Sequence, residues 1–240
     1  MKFKRAIILS AGFGKRLRPL TDKIPKPLVK INNITLLENT LRFLKKLGVQ
    51  EIAINVHYLA EQVIHFLKSF DNEYNIKIFK EEKILGTGGG ILNCLPFFLD
   101  EKFIAINCDT IWNTQYEEPI NILSTELEKE KSSIGLLVIE KNKSFDERLK
   151  GDFSRDSTNP NLLVRNDKAK NYLIYTGFQI IEPKVFQKTK LTTFSMNEVW
   201  NKAIKERKLI GQTQAGFTTF YHITDYEIYN KIKNQKITNF

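Results

Sequence analysis

A continuous apolar run near the start of the chain passes directly into a glycine-rich segment, and this junction strongly restricts the possible folds. The run is Ala6-Ile7-Ile8-Leu9, and glycines follow at positions 12 and 14. A strand that is apolar at every position is typical of a parallel sheet, because helices cover both of its faces. The junction therefore predicts a buried first strand whose loop allows close approach of a ligand to the backbone.

Short apolar runs alternate with amphipathic segments as far as residue 140. Leu37, Leu41, Leu44 and Leu47 recur at helical spacing, and Gly48 suits the position just after a helix. This alternation predicts an α/β fold with a mostly parallel central sheet and helices on both faces. The predicted strands cover residues 2–9, 51–56, 76–79, 103–107 and 134–139, and the predicted helices cover 35–47, 60–70 and 119–129. A glycine loop over 86–90 is predicted to open one further helix.

The pattern changes beyond Glu140. Residues 142–170 are polar and irregular, and we interpret them as an insertion over the carboxyl ends of the strands, where open α/β sheets bind ligands. A strand over 172–181, a helix over 196–208, strand-like pieces over 210–214 and 217–222, and a helix from Asp225 are predicted to follow. We predict a single domain over 1–240 with two parts, 1–140 and 141–240.

Basic residues are concentrated in the loop after the first strand. The 240 residues include 37 Lys and Arg against 27 Asp and Glu, a formal net charge of +10. Six of the sixteen residues from Lys15 to Lys30 are basic, and Asp22 alone opposes them. Such a charge suits nucleic acid, an anionic membrane or an anionic small substrate. The aromatic residues do not alternate with the basic ones as base-stacking platforms do, which argues against a nucleic-acid partner.

The apolar runs and the cysteines argue against two further classes of protein. No run approaches the ~18 apolar residues of a membrane-spanning helix, so we expect no membrane partner. Cys94 and Cys108 are too few for a disulfide scaffold and lack the spacing of metal ligands. We therefore expect a cytoplasmic protein with reduced thiols. Nothing in the sequence indicates an oligomeric state.

The loop carries the strongest chemical signal. It reads Gly-Phe-Gly-Lys-Arg over residues 12–16, and Pro-Lys-Pro follows over 25–27. Gly12 and Gly14 give backbone N–H groups room to approach a phosphate, and Arg16 and Lys26 supply positive charge. A dinucleotide-binding loop requires a third glycine where Leu17 stands, and the Gly-Lys-Ser/Thr of a Walker A loop is absent. The pattern therefore predicts a phosphate-binding loop that is neither a dinucleotide-binding loop nor a Walker A loop.

The segment resembles the signature of the sugar-1-phosphate nucleotidyltransferases. The resemblance extends over most of the chain, through Leu-Gly-Thr-Gly-Gly-Gly-Ile at 85–91, Asn-Cys-Asp at 107–109, Gly-Asp-Phe at 151–153 and Tyr-Thr-Gly-Phe at 175–178. Within that family the chain is most similar to the N-acetylmuramate-1-phosphate uridylyltransferases, and mannose- and heptose-1-phosphate guanylyltransferases share much of the pattern. The resemblance implies a Rossmann-like three-layer sandwich of the nucleotide-diphospho-sugar transferase type.

The resemblance also implies a reaction. An NTP and a sugar 1-phosphate give an NDP-sugar and pyrophosphate. The closer likeness implies UTP as the NTP and N-acetylmuramate 1-phosphate as the sugar phosphate. Residues 1–140 would form the nucleotide-binding part, and 141–240 the sugar-binding part with the closing elements. A guanylyltransferase, and a non-catalytic sensor that binds a nucleotide sugar, remain alternatives.

The same resemblance assigns roles to residues of the nucleotide side. Arg16 and Lys26 would hold the transferring and leaving phosphates and are expected to be catalytic. The triphosphate would be lined by Ala11, Gly12, Gly14 and Lys15. Gly88 would lie closest to the base, and Glu81 would contact the base unless it is an exposed member of the Lys-Glu-Glu-Lys run at 80–83.

Asp109 closes an apolar strand and is expected to be catalytic by binding Mg²⁺, with Mn²⁺ as the other suitable ion. Many relatives have a second carboxylate on their last core strand, and here His222 occupies the corresponding position as a predicted metal ligand. Two alternatives stay open: His222 contacts phosphate directly, or the metal relies on Asp109 and the substrates alone. The expected sugar contacts are Asn107, Asp152, Thr176 and Gly177. The Glu-Lys-Pro tripeptide of thymidylyltransferases is absent. The sequence therefore does not identify the cation that faces the sugar phosphate, and the candidates are Lys150, Arg165 and Lys168.

Overall fold

The computed structural model describes residues 3–70, 73–165, 172–213, 218–235 and 237. Within these residues the strands are, in chain order, β1 (Arg5–Leu9), β2 (Lys30–Ile31), β3 (Ile34–Thr35), β4 (Glu51–Val56), β5 (Asn75–Lys80), β6 (Phe103–Asn107), β7 (Ile134–Glu140), β8 (Ser154–Arg155), β9 (Leu163–Val164), β10 (Leu173–Ile181) and β11 (Leu209–Gln212). The α-helices are α1 (Leu36–Lys46), α2 (Ala60–Leu67), α3 (Gly86–Asn93), α4 (Glu117–Lys129), α5 (Met196–Lys205) and α6 (Tyr226–Ile232).

The seven longer strands form one sheet in the order β11-β7-β10-β6-β1-β4-β5. The pairs β1–β4, β1–β6, β4–β5 and β7–β11 are parallel, and β10 alone runs antiparallel to its two neighbours. The prediction of a mostly parallel sheet is therefore confirmed. Strands from both predicted parts of the chain share this sheet, since β10 lies between β6 and β7.

Alternate residues of the central strands point to opposite faces, and helices cover each face. In β1, Ala6 and Ile8 pack with apolar residues of α1, α2 and α4, whereas Ile7 packs with those of α3 and α5. All three residues are fully buried, and each buried isoleucine contributes about 1.5–3 kcal/mol of hydrophobic stabilisation. This arrangement is the expected Rossmann-like three-layer sandwich. Thr35 caps α1 by accepting a hydrogen bond from the backbone N–H of Glu38 at 3.0 Å.

The carboxyl ends of β1, β4 and β6 and the amino end of β10 lie at one edge of the sheet. The long loops that follow β1 and β6 begin there, as open α/β sheets require for a ligand site. The longest helix that the structure describes has 13 residues. Of the described helices, none is long and apolar enough to cross a membrane.

Four predicted elements differ from the structure. The glycine loop over 86–90 lies inside α3, because contacts from residues 192–194 fix a helical backbone there. The predicted helices over 60–70 and 196–208 end as α-helices at Leu67 and Lys205, and a 3-10 turn follows the first of them. The strand predicted over 217–222 is reduced to isolated bridges at Phe220 and His222, with Phe217 outside the described residues.

The insertion over 142–170 was expected to cover the ends of the strands, and this is wrong for its middle portion. The β8–β9 ribbon packs against the outer edge of the sheet instead. Leu162 forms a bridge with Ile210 of β11, and the backbone N–H of Gly211 donates to the carbonyl of Asn161 at 2.9 Å. Leu163 fills the space above Gly211, which explains why the ribbon lies on this edge. Residues 166–170 lie outside the described residues.

Candidate active site

An open cleft with a volume of about 210 Å³ lies at this edge of the sheet. It is bounded by the loop after β1, the start of α3 and the end of β6. The cleft is lined by Leu9, Ser10, Ala11, Gly12, Lys26, Pro27, Asn55, Ile84, Gly86, Thr87, Asn107, Cys108 and Asp109. Five residues singled out from the sequence therefore line one cavity: Ala11, Gly12, Lys26, Asn107 and Asp109.

The two glycines of the loop do different work. A Cβ atom on Gly12 would meet no heavy atom of the described residues within 4 Å, so its backbone is open to a ligand. Gly14 has a left-handed φ of +62°, and a Cβ there would lie 3.0 Å from Thr21 and 3.2 Å from Lys26. Gly14 thus closes the loop on itself. The expectation that both glycines leave room for phosphate therefore fits the geometry of Gly12 alone.

Lys26 is fixed in position by the prolines on either side of it. Pro25 and Pro27 are buried, and the carbonyls of Pro25 and Lys26 accept the N–H groups of Leu28 and Val29 at 2.9 and 3.1 Å. Because proline restricts its own φ and the preceding residue, the 3-10 turn here has little freedom. The Lys26 side chain is consequently directed into the cleft.

Lys26, Asp109 and His222 meet at one carboxylate oxygen. Oδ2 of Asp109 lies 2.6 Å from Nζ of Lys26 and 3.1 Å from Nε2 of His222. Burial raises the pKa of Asp109, but Lys26 and His222 outweigh this effect and hold the pKa well below its ordinary value. His222 reaches this position because it bridges Thr110 next to Asp109. The carboxylate is therefore ionised at neutral pH.

The donor set around Asp109 fits a divalent cation that completes its coordination with substrate oxygens. Oδ1 of Asp109 is buried and has no hydrogen-bond partner among the described residues, so one acceptor oxygen is available to a ligand. Within the same residues, no three His, Cys, Asp or Glu side chains are clustered for a metal. Mg²⁺ commonly uses one or two carboxylates together with phosphates, and His222 adds a nitrogen that suits Mn²⁺ better.

Two cations of the loop remain at the surface. Arg16 is exposed and makes no hydrogen bond or ion pair with any residue that the structure describes. Lys15 is also exposed, and its ammonium lies 5.2 Å from the centre of the Phe13 ring. Arg18 differs because its Nε pairs with Oδ1 of Asp22 at 3.0 Å. Arg16 is therefore available to an anionic ligand, whereas Arg18 is already paired.

Glu81 is buried, so its interpretation as an exposed acidic residue is wrong. Its Oε1 accepts from Nδ2 of Asn55 at 2.8 Å, and its Oε2 accepts from the N–H of Leu85 at 2.9 Å. Asn55 in turn accepts from the N–H of Ser10 at 2.9 Å, and both of these residues line the cleft. Glu81 thus supports the cleft wall from behind, and its contact with a base stays a prediction.

Gly88 does not line this cleft, and its position closest to the base stays a prediction. A Cβ on Gly88 would lie 2.2 Å from Cε2 of Phe194, whose ring covers this face of α3. The carbonyl of Phe194 also accepts the N–H groups of Gly88 and Gly89 at 3.0 and 3.3 Å. Gly86 and Thr87, the two residues immediately before Gly88, line the cleft instead.

On the sugar side, Asn107 and Gly177 are in contact across β6 and β10. Gly177 has a φ of +95°, and a Cβ there would lie 2.9 Å from Cβ of Asn107. Thr176 is buried with its hydroxyl donating to the carbonyl of Leu137 at 2.9 Å. A sugar contact through the Thr176 side chain is therefore excluded, because strand alternation turns it into the opposite face of the sheet.

Asp152 lies beside β10 and accepts the N–H of Tyr175 at 2.9 Å. Burial raises the pKa of Asp152, although Tyr175, Arg165 and His222 oppose this effect. Arg165 stacks on Phe153 with its guanidinium 4.9 Å from the ring centre. Of the three cations considered for the sugar phosphate, Arg165 is thus held near Asp152, Lys150 is exposed, and Lys168 lies outside the described residues.

Three residues of the site were not singled out from the sequence. Asn55 belongs to a buried strand and was read as part of an apolar run, although a polar residue near a strand end was an available signal. Phe194 carries no local signal, because the glycines that it covers lie about one hundred positions earlier in the chain. Tyr175 enters the sequence analysis only as part of the motif at 175–178 and without a role of its own.

Comparisons with known proteins give a consistent set of relatives. The profile of the Nucleotidyl transferase family matches residues 5–145. Mannose-1-phosphate guanylyltransferase 1 of Arabidopsis thaliana is 30% identical over 89% of this chain, which spans 60% of the plant protein's length. N-acetylmuramate alpha-1-phosphate uridylyltransferase of Caulobacter vibrioides is 26% identical over 92% of both chains. HddC from Yersinia pseudotuberculosis, solved in complex with GMP-PN, shares the fold with a TM-score of 0.71, 24% identity and coverage of 96% and 98% of the two chains.

Proposed function

The chain belongs to the nucleotidyl transferase family, and from that premise we propose that it transfers a nucleoside monophosphate from an NTP to a sugar 1-phosphate. The products are an NDP-sugar and pyrophosphate. One observation carries the proposal: the open backbone at Gly12 adjoins the cleft in which Lys26 and Asp109 meet. That arrangement suits a triphosphate in contact with backbone N–H groups and a fixed cation.

The reaction requires no nucleophile from the protein. An oxygen of the sugar 1-phosphate forms a bond to the α-phosphorus, while the bond from that phosphorus to the bridging oxygen breaks and pyrophosphate leaves with the electron pair. Cys108 lines the cleft, but burial raises the pKa of its thiol to about 12, so it stays protonated. Catalysis is then a matter of orientation and charge.

The cations of the loop perform that task. Lys26 is fixed by its prolines and would hold the phosphates in line for displacement. Arg16 has no competing partner among the described residues. It would stabilise the negative charge that develops on the leaving pyrophosphate. Mg²⁺ or Mn²⁺, held by Asp109 and His222, would supply further positive charge to the phosphate oxygens when bound.

For the substrates we propose UTP and N-acetylmuramate 1-phosphate, which would place the enzyme in peptidoglycan recycling in the cytoplasm. The uridylyltransferase relative supports this pair because the match extends over 92% of both chains. Arg165 supports it as well, because a guanidinium stacked on Phe153 near Asp152 could receive the carboxylate that distinguishes this sugar. Neither nucleic acid nor membrane is proposed as a partner.

Guanylyl transfer to mannose or heptose 1-phosphate is the second candidate. The 30% identity to the plant guanylyltransferase and the GMP-PN complex of HddC favour it. Binding of a nucleotide sugar without catalysis is a third possibility, and the histidine at position 222 is its support. All three candidates use the same cleft. The first two differ in the substrates that they convert, and the third converts none.

The test measures pyrophosphate release with Mg²⁺ or Mn²⁺. UTP, GTP, CTP, dTTP and ATP are each combined with the 1-phosphates of N-acetylmuramate, N-acetylglucosamine, glucose, mannose and heptose. Arg16→Ala is expected to lose activity, and Arg18→Ala is the matched control because Arg18 is already paired with Asp22. Turnover with UTP and N-acetylmuramate 1-phosphate supports the first pair, and turnover with GTP supports the second. Folded protein that binds a nucleotide sugar and releases no pyrophosphate would support the sensor.

A further inference from the structure

The carboxylate of Glu81 joins two elements that form walls of the cleft. Its Oε1 accepts a hydrogen bond from Nδ2 of Asn55 at 2.8 Å, and its Oε2 accepts one from the backbone N–H of Leu85 at 2.9 Å. Asn55 lies near the end of β4, whereas Leu85 directly precedes α3. Both carboxylate oxygens are therefore used, and each holds a different element.

The Asn55 side chain connects Glu81 to the loop after β1. Its Oδ1 accepts from the backbone N–H of Ser10 at 2.9 Å, and the Ser10 hydroxyl donates to the carbonyl of Asn55 at 2.5 Å. Ser10 directly follows β1, and it lines the cleft together with Asn55 and Gly12. Because Asn55 is only 2% exposed, water competes little for these bonds. The start of the loop is thus held to β4.

The other oxygen of the carboxylate fixes the start of α3. Leu85 donates to it, and Gly86, the next residue, lines the cleft. The helix also packs directly on the bond between the two side chains. A Cβ on Gly90 would lie 2.6 Å from Nδ2 of Asn55 and 3.0 Å from Oε1 of Glu81. The position of α3 therefore depends on this pair.

Glu81 itself is not among the residues that line the cleft, and it is 4% exposed. Its backbone is fixed as well, since its N–H donates to the carbonyl of Val56 at 2.8 Å and its carbonyl lies 2.9 Å from Nδ1 of His57. Burial of a carboxylate is costly unless its oxygens accept hydrogen bonds. Here both bonds hold groups of the cleft walls, so the geometry suits positioning of those walls.

We propose that Glu81 is a positioning residue for the NTP, because it sets the spacing between the loop after β1 and the start of α3 without touching the nucleotide. The inference rests on the proposed function, and it gives Glu81 a role other than the base contact expected from the sequence. Binding groups must be held to within about 0.5 Å by hydrogen bonds from behind the site. Since the walls hold the NTP in the ground state and the transition state alike, a loosened pair raises KM more than it lowers kcat.

The test exchanges the amide and the carboxylate between positions 55 and 81. Glu81→Gln replaces one accepting oxygen by an NH2 group that faces a donor, so one hydrogen bond is lost. Asn55→Asp places a second carboxylate against the first, and the bond between the two side chains is lost. In the double variant the amide at position 81 donates to the carboxylate at position 55, and both backbone N–H groups keep an accepting oxygen. All three hydrogen bonds are thereby restored.

Each single variant is expected to raise KM for the NTP about tenfold and to leave KM for the sugar 1-phosphate within about twofold. The fall in kcat should be less than about threefold, because Lys26 and Asp109 are unchanged. The double variant should return KM for the NTP to within about threefold of the wild-type value. Glu82→Gln is the matched control, since this neighbouring carboxylate is exposed and does not line the cleft, and it should change neither KM.

Three results would overturn the inference. An unchanged KM for the NTP in both single variants, with only a lower melting temperature, would mean that Glu81 serves folding alone. An equal rise of both KM values would mean a general loss of structure. A double variant as impaired as Glu81→Gln would mean that the carboxylate is needed at position 81 itself, as a direct contact with the base requires.

A separate measurement distinguishes this inference from the proposed function. If the wild-type protein releases no pyrophosphate with any substrate pair, the proposed function fails. Calorimetric titration of the wild type and the three variants with UTP and with GTP, in the presence of Mg²⁺, then tests the inference alone. Weaker binding by both single variants that is restored in the double variant would support it. Any other order of affinities, or no binding by the wild type, would count against it.

Discussion

The ammonium of Lys26 lies 2.6 Å from Oδ2 of Asp109, although the two residues are 83 positions apart in the chain. The pair joins the loop after β1 to the end of β6, and 13% and 20% of the respective side chains are exposed. Because so little of either charge reaches water, the loss of one partner leaves the other poorly compensated. The stability and the activity of the protein are therefore both expected to depend on this contact.

Replacement of Lys26 by methionine is expected to lower kcat/KM at least 100-fold and the free energy of unfolding by about 2 kcal/mol at pH 7. The folded-state pKa of Asp109 is depressed, so the pair stabilises the fold above the ordinary carboxyl pKa and less as pH falls. The difference from wild type in urea denaturation should accordingly shrink below about pH 4. Lys23→Met removes an exposed loop cation and should change neither quantity. A pH-independent difference would contradict the role assigned to the pair.

His222→Asp is expected to retain activity with Mg²⁺, because a carboxylate at this position is a better ligand for Mg²⁺ than imidazole. The ratio of rates with Mg²⁺ and Mn²⁺ should shift towards Mg²⁺ relative to wild type. The measurement is pyrophosphate release at matched metal concentrations, with circular dichroism to verify folding. Complete inactivity of a folded variant would show that position 222 is not equivalent to the family's second carboxylate.

Gly12→Ala and Gly14→Ala are expected to act on different properties. Gly12→Ala should leave the free energy of unfolding within about 0.5 kcal/mol but raise KM for the NTP about tenfold, because its Cβ enters the space used by phosphate. Gly14→Ala should cost about 1–3 kcal/mol of stability, since φ is +62° and the added Cβ presses on Thr21 and Lys26. Thermal denaturation and initial rates of both variants check this. A reversed order of stabilities would refute the distinction.

Asp146→Asn should reduce stability by about 2 kcal/mol at pH 7 and by much less at pH 2. Hydrogen bonds from Arg148 outweigh burial and lower the pKa of Asp146 to about 2. A depressed carboxyl pKa stabilises the fold above the ordinary value and loses that effect as pH falls towards 2. Glu227→Gln is the control, because this exposed residue pairs with the same arginine. Its replacement should change the free energy of unfolding by less than about 0.5 kcal/mol. An Asp146→Asn deficit that persists at pH 2 would contradict the argument.

The same variant tests a link to the site. The hydroxyl of Thr224 donates to Asp146 at 2.7 Å, and the N–H of Thr224 donates to the carbonyl of His222 at 2.9 Å. Asp146 therefore holds the segment that places His222 beside Asp109. A modest loss of activity, about three- to tenfold, is expected alongside the loss of stability.

Local sequence predicted the central strands well, because a strand that is buried on both faces appears in the sequence as a continuous apolar run. The run at residues 6–9 and the strand over 103–107 are apolar at nearly every position, as parallel strands require. The antiparallel direction of β10 could not be predicted in this way, because the apolar pattern of a buried strand does not indicate the strand's direction. Its place between β6 and β7 is a property of the assembled sheet.

The glycine segment at 86–90 shows why other features could not be predicted. Five residues with four glycines favour a loop by propensity, yet they form a helix. The backbone is held by the carbonyl of Phe194, and a Cβ on Gly89 would lie 2.4 Å from the carbonyl oxygen of Thr192. These contacts come from residues about one hundred positions later. The burial of Glu81 arises in the same way, because its partner Asn55 belongs to a neighbouring strand.

The position of β7 in the sheet has a consequence for synthesis of the chain. β1, β4, β5 and β6 can pair with one another as soon as residue 107 has emerged, but both neighbours of β7, β10 and β11, are made later. Until residue 181 is available, the sequence Ile-Gly-Leu-Leu-Val-Ile at 134–139 has two open edges. An apolar strand in that state is prone to pair with other chains. Nascent or truncated forms that end before β10 should therefore need chaperones or aggregate, while the completed chain closes both edges.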